Sequence, residues 1–132
     1  MVVAVDVGTV RVGVAASDPH RVLASPVETV TAPGLARVAA LVAERDAVLV
    51  LVGLPTSMSG RAESASAEMA REYARSLAEL TAVPVQLVDE RLTTVTATAA
   101  LRASSKRGKQ ARALVDQAAA VALLQGFLDS AS

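Results

Sequence analysis

The sequence predicts a single α/β domain over residues 1–132, built on a five-stranded mixed sheet with helices on both faces. Three apolar, strand-like segments open the chain, and helical and strand-like segments then alternate in the order βββαβαβαα. A run of strands followed by such alternation is typical of a mixed sheet covered by helices. With 132 residues and 52% apolar side chains, the chain can bury a substantial core.

The predicted strands are short segments rich in valine, leucine and alanine. They cover residues 2–7, 10–16, 22–30, 47–53 and 83–90. Segment 47–53 is continuously apolar, which is typical of a central strand covered on both faces. Pro26 in the third segment indicates an edge strand or a bulge, since proline cannot donate to a sheet ladder.

The predicted helices follow from apolar spacing and from capping residues. They cover residues 35–46, 62–80, 93–103 and a last segment from residue 113 to near Gly126. Thr93 or Thr94 could cap the third of these helices. We see no linker or internal repeat between the elements, which supports a single domain.

Composition excludes several classes of site. The chain has no cysteine, so disulfides, thiolate zinc sites and cysteine nucleophiles are absent. Aromatic residues make up only 2%, which argues against a platform for stacking nucleic-acid bases. No apolar run approaches 18 residues and the chain opens on a strand, so we expect a soluble, cytoplasmic protein with no membrane partner.

Acidic residues stand at unusual places in the predicted elements. Asp6 interrupts the apolar first strand, Asp89 and Glu90 end the last strand, and Asp116 stands among apolar residues of the last helix. Burying an ionised carboxylate costs several kcal/mol unless a partner compensates it. If the strands bring these acids to one end of the sheet and the last helix packs there, the carboxylates form a cluster.

A carboxylate cluster of this kind becomes favourable around divalent cations, and hard oxygen ligands select Mg²⁺ or Mn²⁺ over zinc. Two ions held by such carboxylates can hydrolyse phosphodiesters without a side-chain nucleophile. The structural alternative is an ion pair of Asp6 with Arg11 or Arg91. Because alternation from Val88 puts Asp89 and Glu90 on opposite faces, we favour Glu90 as the second ligand, with Asp89 still possible.

Four motifs carry a resemblance to a known family. VDVGTVRVGVAASD, VGLP, VDERLTT and VDQAAAVALLQ, in this order and spacing, resemble the YqgF/RuvX family of Holliday junction resolvase-like proteins. The resemblance extends from Val2 to Leu128. It implies an RNase H-like fold and a nuclease that either resolves four-way DNA junctions or matures the 5′ end of precursor 16S ribosomal RNA.

The resemblance also implies the site. The acids of the family fall on Asp6, on Glu90 of the D-E-R motif with Asp89 adjacent, and on Asp116. In RNase H-like nucleases generally, the second acid ends the fourth strand. Here that strand ends in VGLP without a carboxylate, and the D-E-R acid comes one strand later.

Basic residues near the predicted site suggest contacts with nucleic-acid phosphates. Segment 102–112 holds five basic residues and no acidic one, although the formal net charge of the chain is zero. We predict a basic loop there, directly before the last helix, that contacts the phosphate backbone. The predicted nucleic-acid-binding residues are Arg11, Arg91, Lys106, Arg107, Lys109 and Arg112.

Two other classes stay open at this point. The protein could be a nucleic-acid-binding protein that keeps the fold without catalysis, since the fourth strand lacks its acid. Less favoured is a nucleotide-binding domain, because the D-V-G-T sequence resembles the phosphate loop of actin-like ATPases. Junction resolution would favour a homodimer with paired sites, whereas processing of an RNA end can proceed with a monomer.

Overall fold

A five-stranded mixed sheet forms the centre of the structure, a computed structural model that describes residues 1–55, 65–90 and 108–131. Within the last range, side chains are described for residues 117–130. The strands are β1 (Val2–Val7), β2 (Arg11–Ser17), β3 (Ala24–Thr31), β4 (Leu49–Leu54) and β5 (Val85–Asp89). Their order in the sheet is β3-β2-β1-β4-β5. β1 pairs antiparallel with β2 and parallel with β4, so the predicted mixed sheet is confirmed.

Three described helices cover the two faces of this sheet. α1 (Leu35–Glu44) and α2 (Ala65–Leu80) pack against one face, and α3 (Gly108–Ala131) packs against the other. The alternation of β1 divides its side chains between two cores. Val3 and Val5 face α1 and α2, whereas Val2 and Ala4 face α3. All four are fully buried, which explains why this strand is almost continuously apolar.

The last helix begins earlier than the sequence predicts. We expected it to start at residue 113 after a basic loop, but α3 starts at Gly108. Lys109 and Arg112 are therefore in the first turns of a helix and not in a loop. The physical reason is local, since Lys, Gln, Ala and Arg, which follow Gly108, are all strong helix formers.

The last helix also ends later than predicted. It passes through Gly126 and continues to Ala131. A glycine inside a helix costs about 1 kcal/mol relative to alanine. Burial of the Leu128 side chain against the sheet, worth roughly 1.5–3 kcal/mol, outweighs that cost.

The third strand begins at Ala24 rather than at residue 22, because the residues before it form a turn. The Asp18 carboxylate accepts hydrogen bonds from the backbone N–H groups of His20, Val22 and Leu23, at 2.7–3.2 Å. These bonds, with that from Leu23 the most important, hold the pKa of Asp18 below its ordinary value of 3.8. The Asp18 side chain thus caps this turn, and Asp18 lies at the end of β2 opposite to Arg11.

Pro26 lies on an edge strand and beside a bulge, as its position predicts. β3 is the outermost strand next to β2, and the β2–β3 pairing shifts register between Val14 and Ala15, where Ala15 pairs with Pro26. The short helix predicted over residues 93–103 lies outside the described residues. No helix in the described part of the chain is both long enough and apolar enough to cross a membrane.

Tyr73 of α2 ties that helix to the segment before α1. Its ring is buried, and its hydroxyl donates a hydrogen bond of 2.6 Å to the backbone carbonyl of Pro33. Burial raises the pKa of the Tyr73 phenol to about 12. The ring also lines a small open cavity of about 180 Å³, together with Val7 and Met69.

Tyr73 is the single tyrosine, so we predict an unambiguous ultraviolet titration. Absorbance at 295 nm should rise with a midpoint near pH 12 in the folded protein, against about 10 after denaturation. Because the folded state favours the neutral phenol, its contribution to stability is complete below pH about 10 and is lost as pH rises through about 12. A midpoint near 10 in the folded protein would contradict the buried environment.

Candidate active site

The predicted first acid lies in a row of residues that crosses the sheet. Asp6 of β1 pairs with Gly13 of β2, and Gly13 pairs with Thr29 of β3. On the other side, the parallel pairing of β1 with β4 extends to Val5 and Val52, and Asp6 and Gly53 are the next residues of these two strands. Asp6 therefore lies between Gly13 on β2 and the Gly53 end of β4.

The row faces α3. Val5 and Val12, the neighbours of Asp6 and Gly13 in their strands, belong to the core under α1 and α2. Because successive strand residues point to opposite faces, Asp6 and Gly13 lie on the face that α3 covers. Asp6 is half-buried there, directly after the fully buried residues 2–5 of β1.

The carboxylate of Glu90 lies directly over Gly53. A Cβ atom added to Gly53 would stand 2.6 Å from Oε1 of Glu90, 3.1 Å from its Cγ and 3.2 Å from its Cδ. Gly53 pairs with Val88 of β5, which packs in the core under α3, and Glu90 follows two residues later. Glu90 thus reaches from the end of β5 over β4, the strand that is paired with β1.

Asp89 occupies a different place. It pairs with Leu54 at the end of β4, one residue beyond the Gly53–Val88 pair. Alternation along β5 turns Asp89 towards the face of α1 and α2, away from the Asp6 row. The geometry therefore favours Glu90 over Asp89 as the companion of Asp6.

A hydrogen bond holds one turn of α3 at the level of Asp6. The side-chain amide of Gln117 donates to the hydroxyl of Thr29 at 2.9 Å, and Thr29 belongs to the Asp6 row. Asp116 immediately precedes Gln117, and it stands four residues before Ala120, which is fully buried against the sheet. The helix backbone thus brings Asp116 to the Asp6 end of the sheet, while its side chain is outside the described part.

The predicted nucleic-acid-binding residues are only partly described. Arg11, half-buried at the start of β2, pairs with Thr31 and shares the face of Gly13 and Asp6. Lys109 and Arg112 lie in α3, and only their backbone is described. Arg91, Lys106 and Arg107 lie outside the described residues.

The tight hairpin turn after Asp6 explains why residue 8 is a glycine. Its N–H donates to the carbonyl of Arg11 at 3.0 Å, and an added Cβ would stand 2.6 Å from that same oxygen. The close approach across the turn thus excludes a side chain. Gly8 therefore has a structural role in this turn, and Thr9 is exposed beside it at the tip.

The described acids supply part of a metal site. Asp6 and Glu90 offer hard oxygen donors over two neighbouring strands, and such donors suit Mg²⁺ or Mn²⁺. Among the residues with described side chains, no group of three histidine, cysteine, aspartate or glutamate residues is placed to hold a metal ion. Asp116 would be the third ligand of the predicted set.

Sequence reasoning missed two residues of this arrangement. Gly53 was predicted only as part of the VGLP motif and not as a site residue, although a glycine in a buried strand can indicate the close approach of another group. Gln117, the residue after Asp116, was not among the predicted site residues. No sequence pattern points to its bond with Thr29, because the two residues are 88 positions apart.

Solved structures of similar architecture define the class. The chain superimposes on Thermus thermophilus RuvC in complex with a Holliday junction substrate with a TM-score of 0.61 and 16% identity, over 100% of this chain and 98% of the other. A second structure of Thermus thermophilus RuvC gives a TM-score of 0.58 at 17% identity, over 98% and 95% of the two chains. The fold is therefore RNase H-like, as predicted.

Comparison with protein families over nearly the whole sequence identifies the family of this chain. The RuvX family, described as "Holliday junction resolvase", matches residues 1–130. Relatives from Mycobacterium ulcerans (52% identity; 95% of this chain, 76% of the relative) and Mycolicibacterium smegmatis (51%; 96% and 79%) carry the name "Putative pre-16S rRNA nuclease". So does one from Mycobacterium leprae (54%; 95% and 70%). The chain belongs to the RuvX family of resolvase-like nucleases, which confirms the resemblance.

Gln117 and Gln125, two of the glutamines of α3, offer a matched test of the site. Gln117→Met removes the bond to Thr29 at the Asp6 end. Gln125→Met removes the bonds to Ala24 and Val22 at the other end of the same helix. Each change should lower the free energy of unfolding by about 0.5–1.5 kcal/mol. Only Gln117→Met should also weaken Mn²⁺ binding, roughly tenfold or more, because it loosens the turn that carries Asp116.

Denaturant unfolding and calorimetric titration with Mn²⁺ measure the two effects. Equal loss of Mn²⁺ affinity in both variants would mean that the whole helix, and not its Asp6 end, supports the site. That result would contradict the assignment.

Proposed function

We propose that this protein is a divalent-metal-dependent endonuclease that processes the 5′ end of precursor 16S rRNA, with Asp6, Glu90 and Asp116 as metal ligands. The observation that carries the proposal is the carboxylate of Glu90 over Gly53, beside Asp6 in the sheet. Asp6 and Glu90 lie on the same face of the sheet, Glu90 over Gly53 of the strand that is paired with β1, and the helix that carries Asp116 is bonded to Thr29 of the Asp6 row.

The donor set suits Mg²⁺ or Mn²⁺, and we propose two ions. When bound, such a pair supplies an activated water and stabilises the charge of an in-line phosphodiester hydrolysis. The chain holds the ligands in fixed positions. Asp6 directly follows the fully buried residues 2–5 of β1, and Glu90 follows a strand paired with β4. The single histidine, His20, lies in the turn beyond the other end of β2, so no histidine acts as a base.

The similar proteins favour RNA as the substrate. Relatives of about half-identical sequence are named for pre-16S rRNA, whereas the RuvC structures, at 16–17% identity, bear on the fold alone. One cut at an RNA end needs one site, so the proposal requires only a monomer, in the cytoplasm with its RNA. Arg11, Arg91, Lys106, Arg107, Lys109 and Arg112 would contact phosphates, and binding would weaken with salt.

The family description keeps the four-way DNA junction as a second candidate substrate. Symmetric resolution cuts two strands and would require two sites, hence a homodimer. Sedimentation of the protein with and without a junction separates the two substrate proposals on this point.

Asp6→Asn should abolish cleavage and preserve nucleic-acid binding. The change keeps the shape of the side chain but removes a charged metal ligand, so cleavage should fall by roughly 100-fold or more. Asp46→Asn is the matched control. Asp46 is exposed before β4, at the opposite end of the sheet, and its φ of 49° is one that asparagine tolerates.

The measurement is cleavage of end-labelled precursor 16S rRNA fragments and of four-way DNA junctions, in Mg²⁺ and in Mn²⁺. Metal-dependent cutting of the RNA by wild type and by Asp46→Asn, but not by Asp6→Asn, is the expected result. If all three proteins bind the substrates and none cuts, the protein is a non-catalytic binder and the proposal is wrong.

A further inference from the structure

We propose that Gly53 is a positioning residue: its missing side chain leaves the space in which Glu90, from the end of β5, performs the role of a carboxylate on β4. This inference rests on the proposed metal site, but it concerns a residue without any donor atom in its side chain. The contact between Gly53 and the Glu90 carboxylate is its basis.

The spacing of the strands explains why the space over β4 is needed. Neighbouring strands lie about 4.8 Å apart, so the backbones of β1 and β5 are separated by two such steps, roughly 9.6 Å. Carboxylates that share Mg²⁺ ligate at about 2.1 Å, and paired ions stand about 3.5–4 Å apart. A carboxylate from β5 therefore serves the same ions as Asp6 only if it extends over β4. Glu90 does so, because it lies over Gly53.

Other reasons for a glycine do not apply at this position. The φ of Gly53 is outside the left-handed region, so the backbone conformation accepts any residue. The three atoms nearest to an added Cβ all belong to Glu90, and the closest would be at 2.6 Å. An alanine at this position would thus meet the glutamate side chain itself.

The same geometry predicts that the carboxylate can be moved between strands. Removing the Glu90 side chain beyond Cβ also removes all three atoms that an added Cβ at position 53 would meet. An aspartate on β4 would then stand beside Asp6 in the sheet, at the next position of the β1–β4 register. The double variant Gly53→Asp/Glu90→Ala should recover a metal site that Glu90→Ala alone loses.

The experiment measures Mn²⁺ affinity by calorimetry in the absence of nucleic acid, and then cleavage, for wild type and four variants. Gly53→Ala should weaken Mn²⁺ binding roughly tenfold or more while the melting temperature shows a folded protein. Glu90→Ala should weaken binding further. Gly53→Asp/Glu90→Ala should bind at least roughly tenfold more tightly than Glu90→Ala, and Gly53→Asn/Glu90→Ala, the uncharged control, should not.

Unchanged Mn²⁺ affinity in Gly53→Ala would overturn the inference, as would equal recovery by the aspartate and asparagine variants. If a double variant fails to fold, the Gly53→Ala result decides alone. The readouts also separate this inference from the proposed function. A protein whose Mn²⁺ affinity depends on Gly53 but that cuts neither RNA nor DNA would support the inference and refute the nuclease. A wild type that binds no Mn²⁺ would overturn the inference.

Discussion

The parallel pairing of β1 with β4 is the constraint on which the site depends. It pairs Val5 with Val52, directly before Asp6 and Gly53, and the pairing of β4 with β5 then puts Glu90 within reach of Gly53. A one-residue slip in either register would turn these side chains to the opposite face. The register is well determined because β1 and β4 are buried on both faces, so that a slip would disrupt two cores at once.

The two faces of the sheet have different tasks. α1 and α2 complete a core of valine, leucine and alanine under one face, and Tyr73 links α2 to the segment before α1. α3 covers the other face, where its apolar residues between Ala120 and Leu128 pack against the sheet and Gln117 bonds to Thr29 at the Asp6 end. The core under α1 and α2 holds the strands in place, and the backbone of α3 carries Asp116 at the Asp6 end of the sheet. The same helix, α3, thus stabilises the fold and carries a predicted ligand of the proposed metal site.

Much of this arrangement follows from sequence. The continuously apolar segment of β4 predicted a central strand, and Asp6 stood out because a lone carboxylate is costly in the apolar first strand. The contact of Glu90 with Gly53 could not be predicted, because it depends on which strands are neighbours and on how far a glutamate reaches. The missing carboxylate at the end of β4 looked like a lost ligand. In the structure, the glycine there accommodates an acid from the next strand. The extension of α3 beyond Gly126 was missed because burial of Leu128 outweighs the local cost of glycine.

The central claim is that Asp6 and Glu90 together bind the divalent cation. Crystals of the wild-type protein grown with Mn²⁺, with diffraction data at the manganese absorption edge, test it most directly. We predict an anomalous peak over Gly53, about 2.0–2.3 Å from a carboxylate oxygen of Asp6 and from one of Glu90. A peak at Asp89, or an ion held by Asp6 with the Glu90 carboxylate turned away from Gly53, would contradict the account.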